Sequence, residues 1–243
     1  MVVAPGFGRS FTLVLALSPA LAAAAQQPAK FTPPRVASAA LPAPPAPNVA
    51  GGGEVIIEAI VDRSGAVTRP VLLRSTPPYA QFMLEAVGRW RFLPARAASP
   101  GSPESPVDSP VLIVAVYRPP TLFNAPTVGE SPKDLAVPSV EVPFPAALVS
   151  PDYPPLAANS VTVSIVLFEV SLDESGQMRD ARTIATDPAF ERSARDALSQ
   201  WRFRPALFRG RAVAASAYVL FGFRPPVGLS GPAPPKPPAA SPR

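Results

Sequence analysis

Two acidic tetrapeptides are the residues best placed for chemistry. Asp62-Arg63-Ser64-Gly65 and Asp173-Glu174-Ser175-Gly176 each set a carboxylate two residues before a serine, with glycine next. Two carboxylates on duplicated lobes could share a proton and activate water, which is aspartic-protease chemistry. That chemistry is carried by Asp-Ser/Thr-Gly, whereas both copies here have an extra residue between Asp and Ser. Their apolar flanks suit a hairpin turn, in which Asp accepts backbone N–H bonds and Gly supplies a positive φ.

Other chemistries fail by inventory. The chain has neither His nor Cys, so it offers no Ser-His-Asp triad, zinc cluster, thiolate or disulfide. A Ser–Lys dyad needs a lysine in folded chain, but Lys30, Lys133 and Lys236 all stand in proline-rich stretches. Gly51-Gly52-Gly53 leads into a strand, unlike a phosphate loop, which opens a helix. The expectation is a protein that is not an enzyme, with no catalytic, cofactor-binding or metal-binding residue. Formal charge is +5, nineteen of the 22 cations being arginines spread through the chain. That balance suits acidic surfaces weakly, and without a nucleic-acid motif no nucleic-acid partner is expected.

The elements that hold these residues come twice. An offset of 111 superimposes 62–95 on 173–206 without a gap, and ten of the 34 positions are identical. This register marks a duplicated folding unit. In the second copy Phe168, Val170 and Leu172 alternate with Glu169 and Ser171, the period of a half-buried strand; Ile57, Ala59 and Val61 against Glu58 do the same in the first. After the turn a second strand is predicted at 66–74 and 177–186.

Pro77 and Pro188 then precede helical stripes: Tyr79, Met83, Ala86, Val87 and Trp90, matched by Phe190, Ala194, Ala197, Leu198 and Trp201. Trp90 and Trp201 read as core anchors, with Arg91 and Arg202 beside them solvated or structural. Pro94 and Pro205 stop the helices, and a last strand is predicted at 110–118 and 212–223. The fold class is therefore α+β, with two tandem ββαβ modules, each a small antiparallel sheet covered by one helix.

The 37 prolines divide the rest. Residues 26–53 and 119–149 read as proline-rich linkers and 225–243 as a proline-rich disordered tail, leaving modules at 54–118 and 150–224. Arg9, the apolar run Phe11–Ala25 and the small residues before Gln26 read as a signal peptide, 1–25, cleaved near Ala25. The alternative is an inner-membrane anchor, although fifteen helical residues reach only about 22 Å against about 30 Å of hydrocarbon.

The order of these motifs resembles the TonB C-terminal domain family, most closely in the second copy. Tyr153, Pro154 and Ala157 are similar to the family's opening Tyr-Pro-x-x-Ala, and Asp173 and Gly176 to its first hairpin. Trp201, Arg202, Phe203 and Pro205 are similar to its Trp-Arg-Phe-x-Pro block, and Gly210 to its last turn. The first copy keeps Asp62, Gly65, Trp90, Arg91, Phe92 and Pro94, lacks Tyr-Pro-x-x-Ala, and carries an insertion at 97–110.

The resemblance implies a periplasmic domain that lends a sheet edge: in the family, the last strand pairs with an extended segment of outer-membrane transporters. Arg211, Val213, Ala215, Ala217, Val219, Phe221 and Phe223 would then form the partner-binding edge strand, with Val111–Tyr117 as its first-copy equivalent. The expected partner is an envelope protein, such as an outer-membrane transporter segment. Two alternatives stay open, an anchored energy transducer and a structural envelope module whose edges pair internally, by self-association or between repeats. Transducing family members carry a histidine in a transmembrane helix, which this chain lacks.

Overall fold

The computed structural model describes residues 30–43, 52–98, 101–118, 136–152 and 163–223. The expected signal segment 1–25, the opening Tyr153, Pro154 and Ala157, and the tail 225–243 lie outside the described residues.

Six strands make the main sheet: Gly53–Val61 (β1), Val67–Arg74 (β2), Ser109–Arg118 (β3), Ser164–Leu172 (β4), Met178–Ala185 (β5) and Ala215–Phe223 (β6). Their order across the sheet is β5-β4-β6-β3-β1-β2. Each end is an antiparallel trio, with Ile57 opposite Ile113 and Phe168 opposite Val219. At the centre β3 and β6 run parallel, with Val114 opposite Val219. The seven consecutive apolar residues Val111–Tyr117 suit that place, because a central strand covered on both faces has no polar side.

The two helices among the described residues follow the proline signals. Tyr79–Val87 (α1) buries Tyr79, Met83, Ala86 and Val87. Pro188–Ser199 (α2) buries Phe190, Ala194, Ala197 and Leu198; the Asp187 carboxylate caps it by accepting the Ala189 N–H, with Pro188 in its first turn. The fold is thus mixed α+β, mostly strand, with one helix packed on each face of the sheet. Leu112, Val114 and Val116 of β3 face the core under α2, while Leu167, Tyr218 and Leu220 of β4 and β6 face the core under α1. Side chains alternate across a strand, so each core draws on strands from both halves of the chain. The sequence expectation of a separate small sheet under each helix is corrected here: the two trios share one sheet through β3 and β6.

Two further expectations change. Residues 30–43 and 136–149, read as linker, carry short strands: Arg35–Ser38 pairs with Arg91–Leu93, and Pro145–Ala147 with Arg202–Phe203. These proline-rich arms cover the Trp-Arg-Phe segments. Val36 and Val142 are buried, and the Trp90 and Trp201 indole N–H groups donate to Ala40 O at 2.8 Å and Val149 O at 3.0 Å. Glu169, expected on a solvent face, is only 2% exposed, because the first arm lies over it.

Candidate functional site

The two acidic turns are built alike. Asp62 Oδ1 accepts the Ser64 N–H at 2.8 Å, the Ser64 hydroxyl at 2.6 Å and the Ala66 N–H at 3.0 Å. Asp173 Oδ1 accepts the Ser175 N–H, the Ser175 hydroxyl and the Gln177 N–H at the same three distances. Gly65 and Gly176 take φ of +84° and +80°, and a Cβ there would come within 1.9 Å of Phe92 O and 2.3 Å of Phe203 O. The acidic turn and the Trp-Arg-Phe block recur together because the turn glycine packs directly on the backbone of that block.

This geometry opposes a proton-sharing pair. The Ser64 hydroxyl and backbone donors hold the Asp62 carboxyl below its ordinary range. The Ser175 hydroxyl foremost, then backbone donors and Arg179, holds that of Asp173 down to about 2. A carboxylate with a depressed folded-state pKa stabilises the fold above its unfolded value, ordinarily 3.8, and loses that contribution as pH falls through about 2. In acid titrations followed by circular dichroism, Asp173→Asn is therefore expected to flatten the loss of stability between pH 4 and pH 2. An unchanged acid limb counts against the turn as its source.

Arg91 and Arg202 are exposed and each bonds nearby backbone carbonyls. Arg91 Nη1 donates to Trp90 O at 2.7 Å, and Arg202 Nη1 to Trp201 O at 2.8 Å and Ser199 O at 3.2 Å. Ser199 O belongs to the last turn of α2, where a helix leaves carbonyls unmatched, and a cation there also suits the helix dipole.

The candidate edge strand is the principal correction. Arg211 and Val213 lie in a separate ribbon, Arg211–Val213, which pairs with Ala206–Phe208 across a turn holding Gly210 at φ +76°. Ala215, Ala217, Val219, Phe221 and Phe223 lie in β6, which is paired with β4 on one flank and β3 on the other. All nine of its residues are buried. Its first-copy equivalent, Val111–Tyr117, is likewise paired on both flanks, with β1 and β6. Neither last strand is an edge in this structure. At the seam Gly222 lies opposite Tyr117, where a Cβ would meet the ring at 2.4 Å, and Tyr117 stacks on Tyr79 with centroids 4.1 Å apart.

The outer edges of the sheet are β2 and β5. Pro70 removes a donor from β2, Arg69 takes φ +47°, and the pairing with β1 shifts register twice. These features are known ways of blunting an edge. In β5 the Arg195 guanidinium reaches over from α2, donating to Ala181 O at 2.9 Å and to Thr183 Oγ1 at 2.8 Å.

Sequence reasoning missed the contacts that tie the arms down. Glu169 Oε1 accepts the Val36 N–H at 3.1 Å and lies 3.3 Å from the Tyr218 hydroxyl, while its Oε2 accepts Arg182 Nε at 2.8 Å. Burial, with the nearby Glu169 charge, holds the Tyr218 phenol protonated, and it donates to Pro34 O at 2.8 Å. At 111 residues earlier, Glu58 Oε2 accepts the Ser139 N–H of the other arm at 2.9 Å. Each glutamate therefore reaches the arm belonging to the opposite half. The equivalence of Glu58 and Glu169 was visible in the internal alignment, but strand alternation placed both in solvent.

Residues 149–225 match the family model of the Gram-negative bacterial TonB protein C-terminal. The match supports the TonB C-terminal family for this segment and suggests a TonB-like envelope protein, in a family of non-enzymatic energy-transducing and protein-interaction domains. The TonB-like segment spans β4, β5, α2 and β6, and with them the second acidic turn and Trp201–Pro205. No curated protein matches the chain. Among the described residues no helix is long and apolar enough to cross a membrane, and no group of three acidic residues is arranged to hold a metal.

Proposed function

We propose that this chain is a non-enzymatic structural module of the cell envelope, built from two TonB-C-like repeats whose last strands pair with each other. One observation carries the reading: the parallel pairing of β3 and β6 consumes the strand that a TonB-type domain would lend to a transporter. Opening that seam would uncover Leu112, Val114 and Val116, which lie under α2, and Tyr218 and Leu220, which lie under α1, at about 1.5–3 kcal/mol for each large side chain returned to water. A short partner segment offers too little in exchange. The first repeat joins the family on its internal alignment with the second, and export to the periplasm rests on the apolar segment before Gln26.

Cysteine pairs test the seam cleanly in a chain without native cysteine. With Val114→Cys and Val219→Cys together in exported full-length protein, an intramolecular disulfide is expected. Mixed adducts with envelope proteins in its place would restore the strand-lending reading.

A second reading keeps strand addition to an envelope partner but moves it to β5, which has no proline and is closed by one side chain. Arg195→Ala exposes the Ala181 carbonyl. Sedimentation velocity is expected to show concentration-dependent association of this variant, with stability changed by under about 1 kcal/mol, as for an exposed ion pair. A variant that stays monomeric at every concentration removes β5 as a usable edge.

A further inference from the structure

The two outer strands differ at three successive equivalent positions. Arg69, Pro70 and Val71 of β2 stand where β5 has Asp180, Ala181 and Arg182. The first set blunts its edge. The second keeps a backbone donor at every residue and sets an acid and a cation two residues apart. Asp180 lies opposite Ser171 and Arg182 opposite Glu169, so both side chains are on the face that carries the first arm. Asp180 is exposed, and among the described residues no ion pair involves its carboxylate. Arg182, also exposed, grips Glu169 through Nε and Nη2, which leaves Nη1 for a second carboxylate.

An edge strand can meet its own copy antiparallel about a two-fold axis, and residues directly opposite then share a face. A register centred on Asp180 sets two carboxylates opposite each other, and one centred on Arg182 sets two guanidiniums opposite each other. Like charges so placed are unfavourable. The register centred on Ala181 sets Asp180 opposite Arg182, and the two-fold axis makes that pair twice. We propose that a second copy of this chain docks on β5 in this register, Ala181 against Ala181. The proposal rests on β5 being a usable edge, the second reading above. Arg195 gates it, because its Nη1 occupies the Ala181 carbonyl at the centre of the register. Giving up that one bond leaves Arg195 Nη2 still held by Glu191 and Thr183.

Single cysteines in the full-length chain carrying Arg195→Ala read the register, since the protein has no cysteine of its own. In the proposed pairing the two Cα atoms at position 181 lie about 4.5–5.5 Å apart, within disulfide reach. A slip of one register step parts them to about 8 Å, which is too far. Ala181→Cys is therefore expected to give a disulfide-linked dimer on mild oxidation, and Arg179→Cys is not. Asp180→Lys, a change at an exposed position, sets two cations opposite each other. It is expected to weaken the association of Arg195→Ala by roughly tenfold or more in sedimentation velocity. Association that survives Asp180→Lys unchanged, or linkage at position 179 as ready as at 181, overturns this register and leaves β5 as an edge for another partner. An Arg195→Ala chain that stays monomeric removes the edge and this proposal together.

Discussion

Trp201→Ala is expected to destabilise the whole chain by about 3–5 kcal/mol, as for a fully buried tryptophan, and to lower its midpoint by roughly 6–20 °C. The informative part is where the loss is felt. Trp201 packs edge-on against Phe221 of β6, and its core includes Leu112, Val114 and Val116 from the first half. With Trp201 gone, Trp90 is the only tryptophan left, and it lies in the first half under α1. Its fluorescence transition is expected to move down with the circular dichroism transition, in one step. If Trp90 melted at the wild-type midpoint while ellipticity was lost earlier, the two halves would be independent and the shared sheet refuted.

Glu169→Ala is expected to release the first arm. The substitution strips the Val36 N–H of its acceptor and leaves Arg182 without the carboxylate it grips. Removing one partner of a buried pair costs about 3–5 kcal/mol, but the Arg182 side chain is 43% exposed and can rehydrate, which brings the expectation nearer 2–3 kcal/mol. Hydrogen exchange at the Val36 amide reads the local event: its protection should collapse further than that of the β3 amides. Equal loss at both would mean that Glu169 supports the fold globally and holds no particular arm. Glu58→Ala, which removes a single bond to Ser139 from a half-buried site, should cost about 1 kcal/mol or less.

The local units were legible for a physical reason. The acidic turn, the proline before each helix and the tryptophan at the end of its stripe depend on neighbours within one half, and each appears twice. The seam depends on contacts between halves, which no local period encodes. In β6, Ser216, Tyr218 and Gly222 alternate with Ala215, Ala217, Phe221 and Phe223, a sequence pattern that by itself predicts the outward side of a half-buried strand. The Tyr218 ring instead packs against Trp90 and Phe92, and Gly222 is bare because Tyr117 needs the space. The clue was the unbroken apolar run of Val111–Tyr117, a composition unsuited to an edge. The arms were misjudged through their prolines: only two or three residues of each pair with the Trp-Arg-Phe block, and the residues between them need no ladder bonds.

Exchanging α1 with α2 while leaving β3 and β6 running the same way requires a half-turn about a line within the sheet, along the strands. The chain is thus arranged as a homodimer would be, with both subunits translated as one polypeptide. Two separate chains joined by that interface would fall apart on dilution. Here the covalent connection keeps the partner at a fixed local concentration whatever the expression level. It also frees the two outer edges from having to be identical, and they have diverged, one closed by a proline and the other by an arginine.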